Sequence, residues 1–147
     1  MNAGDLSGFF FLDTNVLVYS FDKTVPAKQT IARQLIHHAL QTQQGIISTQ
    51  VVQEFLNLAI RKFSPPLSIP EAREYLKSTL MPLCQQFPSI TFYDQTLFIQ
   101  METGYSWYDS LVVTAAIEAG CTTLLSEDMH HGQSIRGLTI LNPFRNV

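Results

Sequence analysis

The chain has 147 residues, enough for a single domain spanning residues 1–147 with a sizeable core. Hydrophobic residues make up 46% and no low-complexity tract is present, which excludes a disordered chain. A net charge of −3 argues against a general nucleic-acid-binding surface, and the nine basic residues are scattered.

Residues 9–12 read as a buried strand, short, aromatic and uninterrupted. Asp13 closes it, and Thr14-Asn15 open a short apolar helix through about Ser20. Residues 26–43 form a stronger helix, with Pro26 in its first turn and Ile31, Leu35, Ile36, Ala39 and Leu40 at helical spacing. Gly45 is expected to end it, and Ile46-Ile47 to form the second strand. Residues 50–63 are helical and stop at Pro65-Pro66. Ser68-Ile69-Pro70-Glu71 has the form of a capping box and opens a helix to about residue 81. Ser89 to Tyr93 is expected as the third strand, followed by helices over 94–103 and 106–119. Thr123-Leu124-Leu125 and Leu138-Thr139-Ile140-Leu141 complete five strands. Strands alternating with helices imply an α/β chain of three layers, α/β/α, around a five-stranded parallel sheet.

The opening MNAGDLSG lacks the basic n-region of a signal peptide, and the stretch from Phe9 to Phe21 is broken by Asp13 and Asn15. Cys84 and Cys121 sit in no metal-binding spacing and read as core thiols of a reducing compartment. A cytoplasmic location is expected.

Four acids stand where strands end or helices begin: Asp13, Glu54, Asp109 and Asp128. In a parallel sheet the carboxyl ends of the strands face one crevice, where ligands bind. Two carboxylates brought to 4 Å would repel by roughly 4 kcal/mol at an effective dielectric of 20. A hard divalent cation with oxygen ligands offsets that repulsion, so the pattern points to a Mg²⁺ or Mn²⁺ site. Each acid also has a plainer role. Asp13 fits an N-cap. Glu54 lies between Val51 and Leu58 at the margin of a buried helical stripe and could reach to solvent. Ser106 followed by Asp109 fits a helix cap. Asp128 follows Ser126-Glu127, and which acid points inward is open, Glu127 being the alternate. Asn15 and Ser126 are candidate polar companions of the acids. Trp107 and Tyr108 read as packing residues rather than base-stacking platforms. His130-His131 and His37-His38 receive no ligand role.

With these residues in view, the chain resembles PIN-domain ribonucleases and, within them, VapC-type toxins of prokaryotic toxin–antitoxin pairs. The resemblance rests on FFFLDTNVLVY, STQVVQEFLNLA, GYSWYDSLVVTAAIEAGC, TTLLSEDMHHG and LTILNPF, in that order along nearly the whole chain. It implies an acidic site at Asp13, Glu54, Asp109 and Asp128, with Asn15 and Ser126 beside it. It further implies one or two Mg²⁺ or Mn²⁺ ions, endonucleolytic cleavage of RNA, a homodimer, and a small antitoxin protein that blocks the site. The competing expectation is a catalytically silent protein-binding or regulatory module with an acidic pocket. A receiver-like domain fits less well, because it needs an acid pair after the first strand and a lysine after the last. A haloacid-dehalogenase-type phosphatase is also disfavoured, because Asn15 stands where it requires a second Asp.

Overall fold

A computed structural model describes residues 2–147. Its centre is β1 (Phe10–Leu12), whose residues are all buried. The strand is covered on both faces, which is why it carries no polar alternation. It pairs in parallel with β2 (Gly45–Ser48) on one side and β4 (Thr123–Leu125) on the other. The sheet has six strands in the order β3-β2-β1-β4-β6-β5. Of these, β3 (Cys84–Gln86) and β6 (Leu138–Leu141) are parallel to their neighbours, and the two-residue β5 (Ser134–Ile135) runs antiparallel at the edge.

Two expectations are corrected here. The sheet has a sixth strand, β5, which at two residues is too short to give a sequence signal. The third strand is Cys84–Gln86, not the run from Ser89 to Tyr93. That run opens α6 (Ile90–Thr103), with the Ser89 hydroxyl accepting a hydrogen bond from the Phe92 amide at 3.1 Å. Phe92, Thr96 and Ile99 are its buried positions, four and three residues apart, so the helical period governs the segment. Cys84-Gln85-Gln86 is short and polar, which hides a strand from pattern reading.

The other helices are α1 (Thr14–Tyr19), α2 (Pro26–Thr42), α3 (Thr49–Arg61), α4 (Ile69–Tyr75), α5 (Met81–Leu83) and α7 (Trp107–Glu118). The capping box at Ser68 and Glu71 is formed in both directions. A π-helical turn, Leu76–Leu80, joins α4 to α5. Helix α2 ends on Gln43, in the left-handed conformation at φ 58°, and not on Gly45. The role of Gly45 is steric, since a Cβ there would lie 2.1 Å from Ala39 Cβ and 3.1 Å from the Phe10 ring. Around Phe55, the rings of Phe21, Phe63 and Tyr75 pack at centroid distances of 4.9–5.8 Å and tie α3 to the loop after α1 and to α4.

The connections place the site. From β1 the chain steps outward to β2 and β3, then returns through α6 and α7 to β4 on the opposite side of β1. The order therefore reverses between β1 and β4, and the segments leaving these two strands flank a crevice. Asp13 leaves β1 there, and Ser126 leaves β4. Among the described residues no helix is long and apolar enough to cross a membrane.

Replacing Gly45 with Ala forces α2 away from β2. We expect a loss of about 1–3 kcal/mol, the usual range for overpacking, read as a lower urea midpoint with an unchanged slope.

Candidate active site

Asp13 is the most constrained acid. It is only 8% exposed. Its amide donates to the Leu125 carbonyl at 3.0 Å, which ties the end of β1 to the end of β4. Its carboxylate accepts from the Ser126 hydroxyl at 2.7 Å and from the Thr14 amide at 2.8 Å. Asp13 is thus the N-cap of α1, as the plainer reading held, while its second oxygen belongs to the crevice. Burial, helped by the charges of Glu54 and Asp128, raises its pKa to about 6 against the opposing pull of these two donors. Ser126, fully buried, serves to hold Asp13.

Glu54 does not reach away into solvent. It is half-buried on α3, and one oxygen accepts from the Thr14 hydroxyl at 2.9 Å. The other accepts from the Gln50 amide at 2.7 Å, one helical turn earlier. Thr14 therefore joins Asp13 and Glu54 through its amide and its hydroxyl. Sequence reading places Thr14 only as an opening residue of the helix after Asp13 and gives Gln50 no role. Their positions, next to Asp13 and four residues before Glu54, were the available signals.

The structure separates Glu127 from Asp128. The Lys28 ammonium lies 2.6 Å from one Glu127 oxygen, and the Tyr19 hydroxyl donates to the other at 2.5 Å. Lys28 also sits 4.7 Å over the Tyr19 ring, a cation–π contact. Burial works against the Glu127 charge, but Lys28 and Tyr19 outweigh it and hold the carboxyl below its ordinary value. Glu127 thereby fastens the loop after β4 to α1 and α2, and Asp128 turns the other way. Asp128 is exposed and accepts from the Asn15 amide at 3.3 Å. The remaining Asn15 oxygen is buried without a hydrogen-bond partner.

Asp109 sits in the first turn of α7, half-buried, and its amide donates to the Ser106 hydroxyl at 3.2 Å. Burial raises its pKa, the Ser106 hydroxyl opposes this, and the charges of Asp128 and Glu54 add to the rise. Tyr108 differs from expectation, because it is 67% exposed rather than packed. Trp107 is half-buried against the core and near-parallel to Tyr93.

The fold therefore places Glu54 and Asp128 near enough to Asp13 and Asp109 for their charges to act on both. Among the described residues, no three His, Cys, Asp or Glu side chains stand close enough to hold one ion as they are. The donor set nevertheless fits a hard divalent ion. It consists of oxygens alone, burial and the neighbouring carboxylates make two of the acids resist ionisation, and the Asn15 oxygen lacks a partner.

Comparison with known proteins places this arrangement in a family. The PIN domain model matches residues 10–132, and the chain belongs to the PIN-domain family. No curated protein matches it. Among solved structures it is similar to a toxin–antitoxin complex from Klebsiella pneumoniae, with TM-score 0.64 and 16% identity over 93% of this chain and 98% of that one. It is similar to VapBC2 from Rickettsia felis, bound to a DNA fragment from its promoter, with TM-score 0.55 and 17% identity over 90% and 96% of the two chains. It is also similar to Mycobacterium tuberculosis VapC20, a sarcin–ricin loop cleaving toxin, with TM-score 0.55 and 16% identity over 81% and 91%. At these identities the likeness is one of fold.

The raised Asp13 pKa has a signed consequence for stability. Between its ordinary value of 3.8 and about 6, the folded state keeps a proton that the unfolded chain has lost. Stability contributed below that window is lost as pH rises through it, a difference on the order of 3 kcal/mol for a shift of about two units. Asp13→Asn removes this titration and can retain both hydrogen bonds. In EDTA, we expect the variant to gain on the wild type as pH rises from about 4 to about 7, measured by urea unfolding. A pH-independent difference would contradict the assignment.

Proposed function

We propose that this chain is a metal-dependent endoribonuclease that hydrolyses RNA phosphodiester bonds, and the toxin component of a toxin–antitoxin pair. The observation that carries the reading is the Asp13 carboxylate. It is buried at the reversal between β1 and β4, held by Ser126 and Thr14, and charged against Glu54 and Asp128. Capping α1 needs only one of its oxygens, and a neutral Asn would cap without the cost of a buried charge, so the charge itself supports a chemical role.

In this reading Asp13, Asp109 and Asp128 hold Mg²⁺ or Mn²⁺, directly or through water. The ion would supply charge neutralisation at the phosphate and acidify an attacking water. Glu54, its two oxygens fixed by Thr14 and Gln50, would hold a second ion or serve as the water-orienting base. Asn15 steadies Asp128, and Ser126 steadies Asp13. Two divalent ions would add four positive charges to the formal −3, leaving +1, which removes the objection that an acidic chain repels RNA. This chemistry does not use the ribose 2′-hydroxyl. The choice of RNA rests on the similarity to a toxin described as cleaving the sarcin–ricin loop. The similarity to toxin–antitoxin complexes supports a small antitoxin protein as partner. A homodimer and a cytoplasmic location complete the proposal.

The competing reading is a silent binding module with an acidic pocket. It is favoured by the acids being too dispersed to hold one ion unaided. Incubation of purified protein with a structured RNA pool separates the two. With Mn²⁺ we expect cleavage, loss of cleavage in EDTA, and a loss of at least a hundredfold in Asp13→Asn and Asp109→Asn. Undiminished cutting by Asp13→Asn at saturating Mn²⁺ would rule the mechanism out. Neither cutting nor Mn²⁺ binding by calorimetry would favour the silent module.

A further inference from the structure

Beside the acids lies a groove that the proposed chemistry does not use. It encloses about 240 Å³ between the start of α3, the loop after β3 and the first turn of α7. Tyr93, Trp107 and Tyr108 contribute aromatic surface, and Gln50, Gln53 and Gln86 contribute amides. None of its lining residues carries a charge. It is continuous with the acids, because Gln50 lines it while donating to Glu54 at 2.7 Å and to the Tyr108 carbonyl at 3.4 Å.

These features select one kind of occupant. A phosphate or a charged side chain would find no counter-ion there. A drug-sized molecule or a folded peptide segment needs more room, since such sites usually run from about 300 to 1,000 Å³. A single flat ring system with polar edges fits in size and in chemistry. Tyr108 is 67% exposed and Tyr93 40% exposed, so both present aromatic surface to solvent. Trp107 lies near-parallel to Tyr93, with ring centroids 6.3 Å apart. Exposed aromatic faces stack unpaired bases, and carboxamides pair with base edges. Gln86, only 4% exposed, has its amide nitrogen fixed by Glu118 at 2.7 Å, so that wall is rigid.

We infer that this groove seats one unpaired nucleobase of the RNA strand, next to the phosphate held at the acids. The inference rests on the nuclease reading for the identity of the strand and adds the element that lets the protein select among phosphodiesters. A duplex cannot present a base in this way, so the substrate is a single-stranded or looped segment.

Trp107 is the only tryptophan of the chain, which makes its fluorescence a reporter of the groove itself. The experiment titrates Asp13→Asn protein, silenced for cleavage, with a short single-stranded RNA and with an abasic strand of equal length. We expect the RNA to quench Trp107 and the abasic strand to leave it unchanged. Adding the exposed-site substitution Tyr108→Ala should weaken RNA binding roughly tenfold. Equal quenching by both strands, or unchanged affinity in the Tyr108→Ala variant, would overturn the base site. Cleavage by the wild type without quenching would also overturn it while leaving the nuclease reading intact. Quenching by RNA alone, with no metal-dependent cleavage by the wild type, would uphold the base site and remove the nuclease.

Discussion

The arrangement depends on one carboxylate that has been taken out of water. The central strand β1 must be apolar throughout, because the sheet and its helices bury it on both faces. The next residue, Asp13, therefore leaves the core at the seam between β1 and β4, where its own amide is used to join the two strands. A charge at that seam opposes folding unless hydrogen bonds and a counter-charge compensate it. The chain supplies the hydrogen bonds through Ser126 and Thr14. Among the described residues no lysine or arginine pairs with Asp13, and Lys28 is engaged by Glu127.

From that constraint the surrounding polar residues acquire distinct tasks. Thr14 links Asp13 to Glu54, Gln50 fixes the other oxygen of Glu54, and Asn15 reaches Asp128. The adjacent acids Glu127 and Asp128 meet opposite fates. One is neutralised by Lys28 and Tyr19 and acts as a fastener for the loop. The other is left exposed with the uncompensated group. Under the proposed reading such an unbalanced cluster would favour a hard cation, because the ion would offset the repulsion among the carboxylates. The neutral, aromatic groove next to it complements this division: charge is handled at the strand ends and base shape is read at the start of α7.

Much of this was legible in the sequence, and the failures have physical causes. The strand at Phe10–Leu12, the long helix from Pro26 and the capping box at Ser68 were visible because burial, periodicity and capping agree locally. The third strand was misplaced because Ser89 to Tyr93 carries β-formers, whereas a capping serine and packing against α7 make it helical. Asp13 and Asp109 stand out in the sequence because they cap or open a helix, whereas Glu54 lies inside α3 and is marked only by its place beside the buried stripe. The choice between Glu127 and Asp128 is not legible there, since it depends on Lys28, 99 residues away in sequence. Sequence alone gives Trp107 and Tyr108 the same packing role, and only the fold shows the two rings meeting different surroundings.

The central claim is the proposal that the Asp13 cluster takes a divalent cation and is stabilised by it. The most direct measurement is the thermal midpoint of wild type and Asp13→Asn at neutral pH, with EDTA and across a Mn²⁺ titration. The account predicts a wild-type midpoint that climbs with Mn²⁺ as mass action requires, while the variant starts higher and responds little. A wild-type midpoint indifferent to Mn²⁺, or an equal climb in both proteins, would contradict it.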